Sequence, residues 1–301
     1  MKNFSVPFTI GYPNTKDYVL AKCYEEKRES YRLAIPAGKQ LKEPIKISFR
    51  SSAKTLDLSL QIELGKGASA TLIEDWDGEL QSPTIRFTNH VKCHTNSVLT
   101  YIVLHNVPTS TDIMEDRTSD IGEDAQCHIY GYYFGGRKMI SHLVQTASQK
   151  GAGINSYMVA NSTATQHLNL SCEHKYTAKL GSGEIGMKGI AQDEATLNFE
   201  GLISIGAKAD GSAGYLKQEI LNINSHTTVR AIPGLKIETS NVKAGHSASV
   251  RNLNDEDLFY FGARGIEKEM AKKLLIAGFL GREMKQIENC GDIYETIRKL
   301  I

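Results

Sequence analysis

The chain has 301 residues with 35 basic and 34 acidic side chains, a balance that excludes the basic stripe of a nucleic-acid binder and the acidic run of a disordered tail. Its length allows one large domain, or a domain with an appendage, around a substantial core. Five scattered cysteines with no Cys-x-x-Cys pair argue against a disulfide framework or a zinc ribbon, so reduced thiols in a cytoplasmic setting are expected.

Met1–Phe8 lacks the apolar stretch of a signal peptide, and no apolar run approaches the roughly 20 residues of a membrane span. Residues 1–45 read as N-terminal strands and turns, with a charged cluster at Glu25–Glu29. Residues 46–250 have the texture of a β core. Leu56–Ile62, Ala70–Ile73 and Val98–Leu104 alternate polar and apolar residues with the period of strands that bury one face.

A weak internal repeat runs through this stretch. Gly65–Leu72, Gly122–Ile129 and Gly151–Met158 each carry a turn, a small or apolar anchor (Ala68, Ala125, Ile154) and an alternating strand. Gln192–Phe199 is a looser copy anchored at Ala195. The first three anchors lie about 29 residues apart or a multiple of it, the signature of stacked solenoid coils with variable loops. A β-sandwich gives similar strands but no reason for a repeating turn.

Residues 251–301 change to helical character. Asn254 is placed to cap a helix whose first turn carries Asp255, Glu256 and Asp257. Ile266, Met270, Leu274 and Ala277 then recur at helical spacing, widened by Leu275 and Phe279, and a further short helix is expected over Ile293–Leu300. By itself this stripe is accounted for by a helical cap over the solenoid end.

The most distinctive segment joins core to tail: Pro233-Gly-Leu-Lys-Ile237, then Asn241-Val-Lys-Ala-Gly-His246, then Leu258-Phe-Tyr-Phe-Gly-Ala-Arg264-Gly-Ile266. It resembles the SufB/SufD family of iron–sulfur cluster assembly scaffolds, whose pattern is a Pro-x-Leu-x-Ile strand, an Asp-Val-x-x-x-His strand and Leu-Phe-Tyr-x-x-Ser-Arg-Gly-Ile opening a helical tail. The likeness is strongest over residues 195–280. It implies a right-handed parallel β-helix core with a C-terminal α-helical subdomain. It also implies a non-enzymatic scaffold that holds a transient iron–sulfur cluster while a SufC-like ABC ATPase drives the cycle. In that scheme ATPase closure twists a scaffold dimer and opens its seam. Leu258, Phe259, Tyr260, Arg264, Gly265 and Ile266 fall where the ATPase docks. Many family members carry a longer N-terminal helical region, so the chain resembles the compact single-subunit scaffolds, which work as a homodimer joined at the C-terminal end of the β-helix.

His246 is the leading ligand candidate. By alternation it shares a face with Val242, Ala244, Ala248 and Val250, where a hydrogen-bonded histidine in an interior or a subunit interface is the plain reading. The resemblance favours a metal-ligand role in the dimer seam. The chain departs from the family at Ala244, where SufD-like motifs place a cysteine, and at Gly245 and Ser247, where SufB-like motifs place glutamates. It departs again near His226, where SufB has its cluster cysteine. The thiolate must then come from elsewhere. Cys172 is the first choice, on a strand face with Leu168, Leu170, His174 and Tyr176, and Cys127 and Cys93 follow. For each cysteine a small buried hydrophobe is the competing reading. Arg264 is placed either to cap the preceding helix or to pair with Glu267.

No phosphate-binding Gly-rich loop, nucleophile elbow, zinc-protease motif or dinucleotide fingerprint occurs, so ATP hydrolysis belongs to the partner. Two other readings remain. One is a carbohydrate-active β-helix enzyme, hinted at by Asp75, Trp76 and Asp77. The other is a solenoid adaptor without a cluster.

Overall fold

The computed structural model describes residues 8–11, 16–23, 28–49, 51, 53–76, 83–224 and 226–284. Two sheets of nine strands face one another, and the chain passes between them through about seven turns of a β-solenoid. The first sheet runs from Phe8–Gly11 to Lys243–Asn252, and the second from Val19–Cys23 to Thr228–Ile237. In a typical coil, Thr84–Cys93 lies in the second sheet and Val98–Val107 in the first. Each pairs in parallel with its counterpart one coil on, Asp112–Ile121 and Gln126–Gly135. The alternation in the sequence is the cause: inward residues such as Leu58, Phe87, Leu170 and Phe199 stack in columns at 2 % exposure or less.

The repeating turn is the corner leading from the second sheet into the first. Its buried ladder is Ala68, Ser97, Ala125, Ala152, Gly181 and Ser212, each accepting a backbone hydrogen bond from the coil that follows. Ala152, not Ile154, therefore occupies the Ala68 and Ala125 position. Ala195 lies at the opposite corner, where Thr228 N–H donates to its carbonyl. The residue before each small anchor takes a left-handed conformation, at Gly67 (φ 65°), Asp124 (φ 51°) and Gly151 (φ 71°), which explains the glycines of the repeat.

The two ends of the stack differ. At the N-terminal end, Phe8–Gly11 and Val19–Cys23 run antiparallel to Ile45–Phe49 and Glu29–Ile35. At the C-terminal end Thr228–Ile237 and Lys243–Asn252 each pair on one side only.

Two helices follow, α1 (Asp255–Gly262) and α2 (Lys268–Met284). Asn254 caps α1 as expected, with a reciprocal capping box to Asp257. Among the described residues the tail does not close the open end. Ile276, Leu280 and Phe279 instead pack against an apolar strip on the outer side of the first sheet that includes Tyr132, Val159, Ile190 and Leu221. Tyr132 donates to the carbonyl of Glu283 at 3.2 Å, and Lys188 Nζ lies 3.0 Å from the Glu283 carboxylate. The buried face of α2 is thus Ala271, Ile276 and Leu280 with Leu275 and Phe279, while Met270 and Leu274 are exposed. Of the expected stripe, Leu275 and Phe279 lie on the buried face, while Met270, Leu274 and Ala277 face outward. The helix expected over Ile293–Leu300 lies outside the described residues. Among those residues no helix is long and apolar enough to cross a membrane.

Candidate functional site at the open end of the solenoid

Among the described residues the last coil presents two unpaired strand edges and an uncovered interior. Val229, Ala231, Val242 and Ala244 pack back onto the core while only partly buried. Leu235, Ile237 and Val250 are 37 %, 42 % and 48 % exposed. An exposed, apolar strand edge is a template for further strand pairing, and proteins blunt or cover such edges. On its inward face this one carries a single proline, Pro233, and no Lys, Arg, Asp or Glu.

His246 lies within that layer. It pairs in register with Leu216, and Leu216 in turn with Ile185, so the imidazole continues an inward column of apolar side chains. With no strand beyond it among the described residues, it is exposed. Tyr215 lies beside Gly245 on the outer face, where a Cβ at Gly245 would meet its ring at 3.6 Å.

The other candidates are spread along the solenoid. Cys172 is inward and 2 % exposed, in register with Gly201 and then Pro233, two coils short of the end. At about 4.8 Å per coil this places it roughly 10 Å below the last layer. Burial pushes its thiol up to about 12, against a smaller opposing effect of Ser156. His174 is fully buried, bonded through Nε2 to Ser156 Oγ at 2.8 Å, and burial lowers it to about 3. Glu173 points to the opposite face and pairs with Lys175 at 3.3 Å. Cys127 stands in the column that ends at Ala244, four coils away, and its thiol is raised by contact with Cys93 and by burial. His226 is exposed in the corner before Thr228–Ile237, near Asn222 and Asn252, and roughly 15–20 Å from His246 along the strand direction. The structure therefore does not gather His246, Cys172, Cys127 and His226 within one chain. Among the described residues no group of three or more His, Cys, Asp or Glu side chains is arranged to hold a metal ion.

Sequence reasoning missed a buried ionic cluster in the N-terminal half of the core. Arg117 lies 3.2 Å from one oxygen of Glu74 and 2.8 Å from Glu115, and His105 Nε2 lies 2.9 Å from Glu115. Tyr101 and the Trp76 indole donate to Glu74, and Ser141 donates to Glu115 at 2.6 Å. Burial raises the Glu115 carboxyl, but Arg117 and His105 reverse this and hold it well below the carboxylate range. Trp76 is fully buried and stacked on Phe49 and His105, so it offers no platform to a sugar; Asp75 is paired with Lys46, and Asp77 lies outside the described residues.

The tail presents the other exposed feature. Phe259 and Tyr260 on α1 are 76 % and 56 % exposed, and Met270 and Leu274 of α2 are exposed as well. Leu258 and Ile266 are partly buried, and α1 packs on α2. Arg264 donates to the carbonyl of Tyr260 at 3.1 Å and lies 3.7 Å over its ring, so it caps the end of α1. Gly265 takes φ 75°, which turns the chain into α2.

Residues 49–279 match the family model described as SUF system FeS cluster assembly, SufBD core domain. The iron–sulfur cluster assembly protein SufD of Escherichia coli is 26 % identical over 234 residues, covering 72 % of this chain and 52 % of that protein. SufB of Bacillus subtilis is 26 % identical over 138 residues, 46 % of this chain and 30 % of that one. A SufBD family assembly protein of Staphylococcus saprophyticus is 20 % identical over 257 residues, 84 % and 55 % of the two chains. The chain thus spans about half the length, or less, of the curated relatives it matches.

Proposed function

Because the chain belongs to the SufBD family of iron–sulfur cluster assembly proteins, we propose that it is a scaffold whose cargo, a nascent iron–sulfur cluster, is held at the open end of the solenoid. The observation that carries this reading is His246: a histidine at an inward position in an uncovered, apolar, edge-exposed layer. Two copies joined edge to edge across that layer satisfy the strand ends and bring two imidazoles into one seam. Imidazole is a neutral ligand, so replacing thiolate by it removes negative charge and anionic iron–sulfur bonds, which suits a site that must release what it assembles. Cys172 is the thiol of the described cysteines placed furthest toward that end. Its burial means it engages cargo only when the last coils part.

The tail exposes Phe259, Tyr260, Met270 and Leu274, apolar side chains of the kind that bind a partner. We assign it, with Leu258, Arg264, Gly265 and Ile266, to a SufC-like ATPase. The scaffold itself performs no hydrolysis. Buried free thiols suit a reducing cytoplasmic setting. Anaerobic reconstitution with ferrous iron and sulfide tests the reading. A protein-bound visible chromophore is the expected result, and a colourless protein in the presence of its ATPase overturns it in favour of an adaptor.

A further inference from the structure

One coil below His246 a buried amide is only half satisfied. Gln218 takes an inward position of the strand Ala213–Asn222 and is 0 % exposed. Met158 and Met187 form the column beneath it, and Ala248 of the last coil lies above it. Its Nε2 donates to the Met187 sulfur at 3.4 Å, while its Oε1 is buried with no hydrogen-bond partner among the described residues. An amide oxygen taken out of water and left unpaired costs free energy, so folded interiors keep few of them. Small neighbours make room around this one. A Cβ on Gly201, across the core, would stand 2.9 Å from Nε2, and Ala248 adds only a methyl group above.

The register sets this amide beside the imidazole. Leu216, two residues before Gln218 on the same inward face, pairs with His246. The diagonal from Gln218 to His246 is then roughly 8 Å between Cα atoms, from the rise along a strand and the spacing between strands. Two side chains of this length can meet across it. The NH2 end of the amide is engaged by Met187 in the coil below, which leaves the oxygen for the coil above. On the reading of His246 as a cluster ligand, we propose that Gln218 is its positioning residue: Oε1 accepts the N–H of one imidazole nitrogen and turns the lone pair of the other toward the seam. Metal-binding histidines are generally held through their second nitrogen in this way, which fixes both tautomer and ring orientation. An uncharged amide orients the ring without the added basicity that a carboxylate partner confers, in keeping with a site that must give up its cargo.

The test uses the full chain with isotope-labelled histidine nitrogens, free of cargo and at a concentration where sedimentation shows the dimer, at one alkaline pH. Long-range proton–nitrogen correlations read the tautomer of His246, whose signal is identified by its loss in His246→Ala. Wild type should show a single tautomer. Gln218→Met keeps the length of the side chain and removes the acceptor, so it should give the averaged shifts of a free ring. Gln218→Glu restores an acceptor oxygen and should return His246 to one tautomer. The Met variant should melt no lower than wild type, yet hold reconstituted iron about 10–100-fold more weakly against a chelator. Should it melt lower, Gln218→Leu takes its place in both measurements. A His246 signal unchanged in the apolar variant would overturn the proposal. Absence of iron from every protein alike, with the tautomer still dependent on Gln218, would instead remove the cluster reading and leave the hydrogen bond standing.

Discussion

His246 sits one coil beyond Leu216 in the same inward column, and what separates them is the layer above. Leu216 is 2 % exposed because a strand covers it, while His246 is exposed because its strand is the last of its sheet. A position that is core everywhere else in the column becomes surface at this one place. The proposed seam follows from that change.

Val250 continues the column of Ile220 and is 48 % exposed. Val250→Glu should leave the monomer within about 0.5 kcal/mol of wild type, as exposed substitutions do. In a two-fold seam it places two carboxylates close together. Sedimentation velocity should show the dimer giving way to monomer with unchanged circular dichroism. A dimer as tight as wild type would move the interface elsewhere.

Phe259 is the most exposed large apolar side chain among the described residues of the tail, at 76 %. Phe259→Asp should weaken binding of a SufC-like ATPase at least about tenfold, the size expected of a truncated aromatic anchor. The melting midpoint should not move. Titration calorimetry with unaltered affinity would detach the ATPase from this surface.

Leu280 is fully buried between α2 and the first sheet. Leu280→Ala should cost about 2–5 kcal/mol of tail docking through a lost contact and a cavity. Hydrogen exchange should rise in α1 and α2 and stay low in strands such as Thr84–Cys93. Uniform acceleration through the solenoid would mean that tail and core unfold as one unit.

Glu115 is depressed only in the folded state, so its contribution is fully present above its unfolded value near 4.5 and is lost as pH falls below it. Wild type should therefore lose stability steadily as pH drops under that value. Glu115→Gln should start about 3 kcal/mol lower at neutral pH, because it leaves Arg117 and His105 short of a buried partner. It should also show a flatter profile in the acid window. Parallel acid profiles for the two proteins would show that the carboxylate carries no linkage.

Period-two alternation made the strands around Leu56–Ile62 and Val98–Leu104 readable, and it put His246 on the inward face correctly. The repeat was readable but its frame slipped at Gly151-Ala-Gly, where either small residue fits and backbone hydrogen bonding selects Ala152. Ala195 resembles the same anchor because both corners need a small buried residue. The stripe on α2 was readable only in part, because that helix is apolar on two faces: Leu275 and Phe279 meet the sheet and Met270 and Leu274 do not, a division that only packing reveals. Arg117 and Glu74 are 43 positions apart, so nothing local signals that they meet. The exposure of His246 was equally hidden, since it depends on where the stack stops.

The most direct measurement is iron and sulfide bound per chain after anaerobic reconstitution of wild type and His246→Ala, with sedimentation confirming that both remain dimers. Wild type should load, whereas the variant should fold, dimerise and bind its ATPase yet retain little iron or sulfide. Equal loading of the two proteins would remove His246 from the ligand set and with it the seam as the place where the cluster is held.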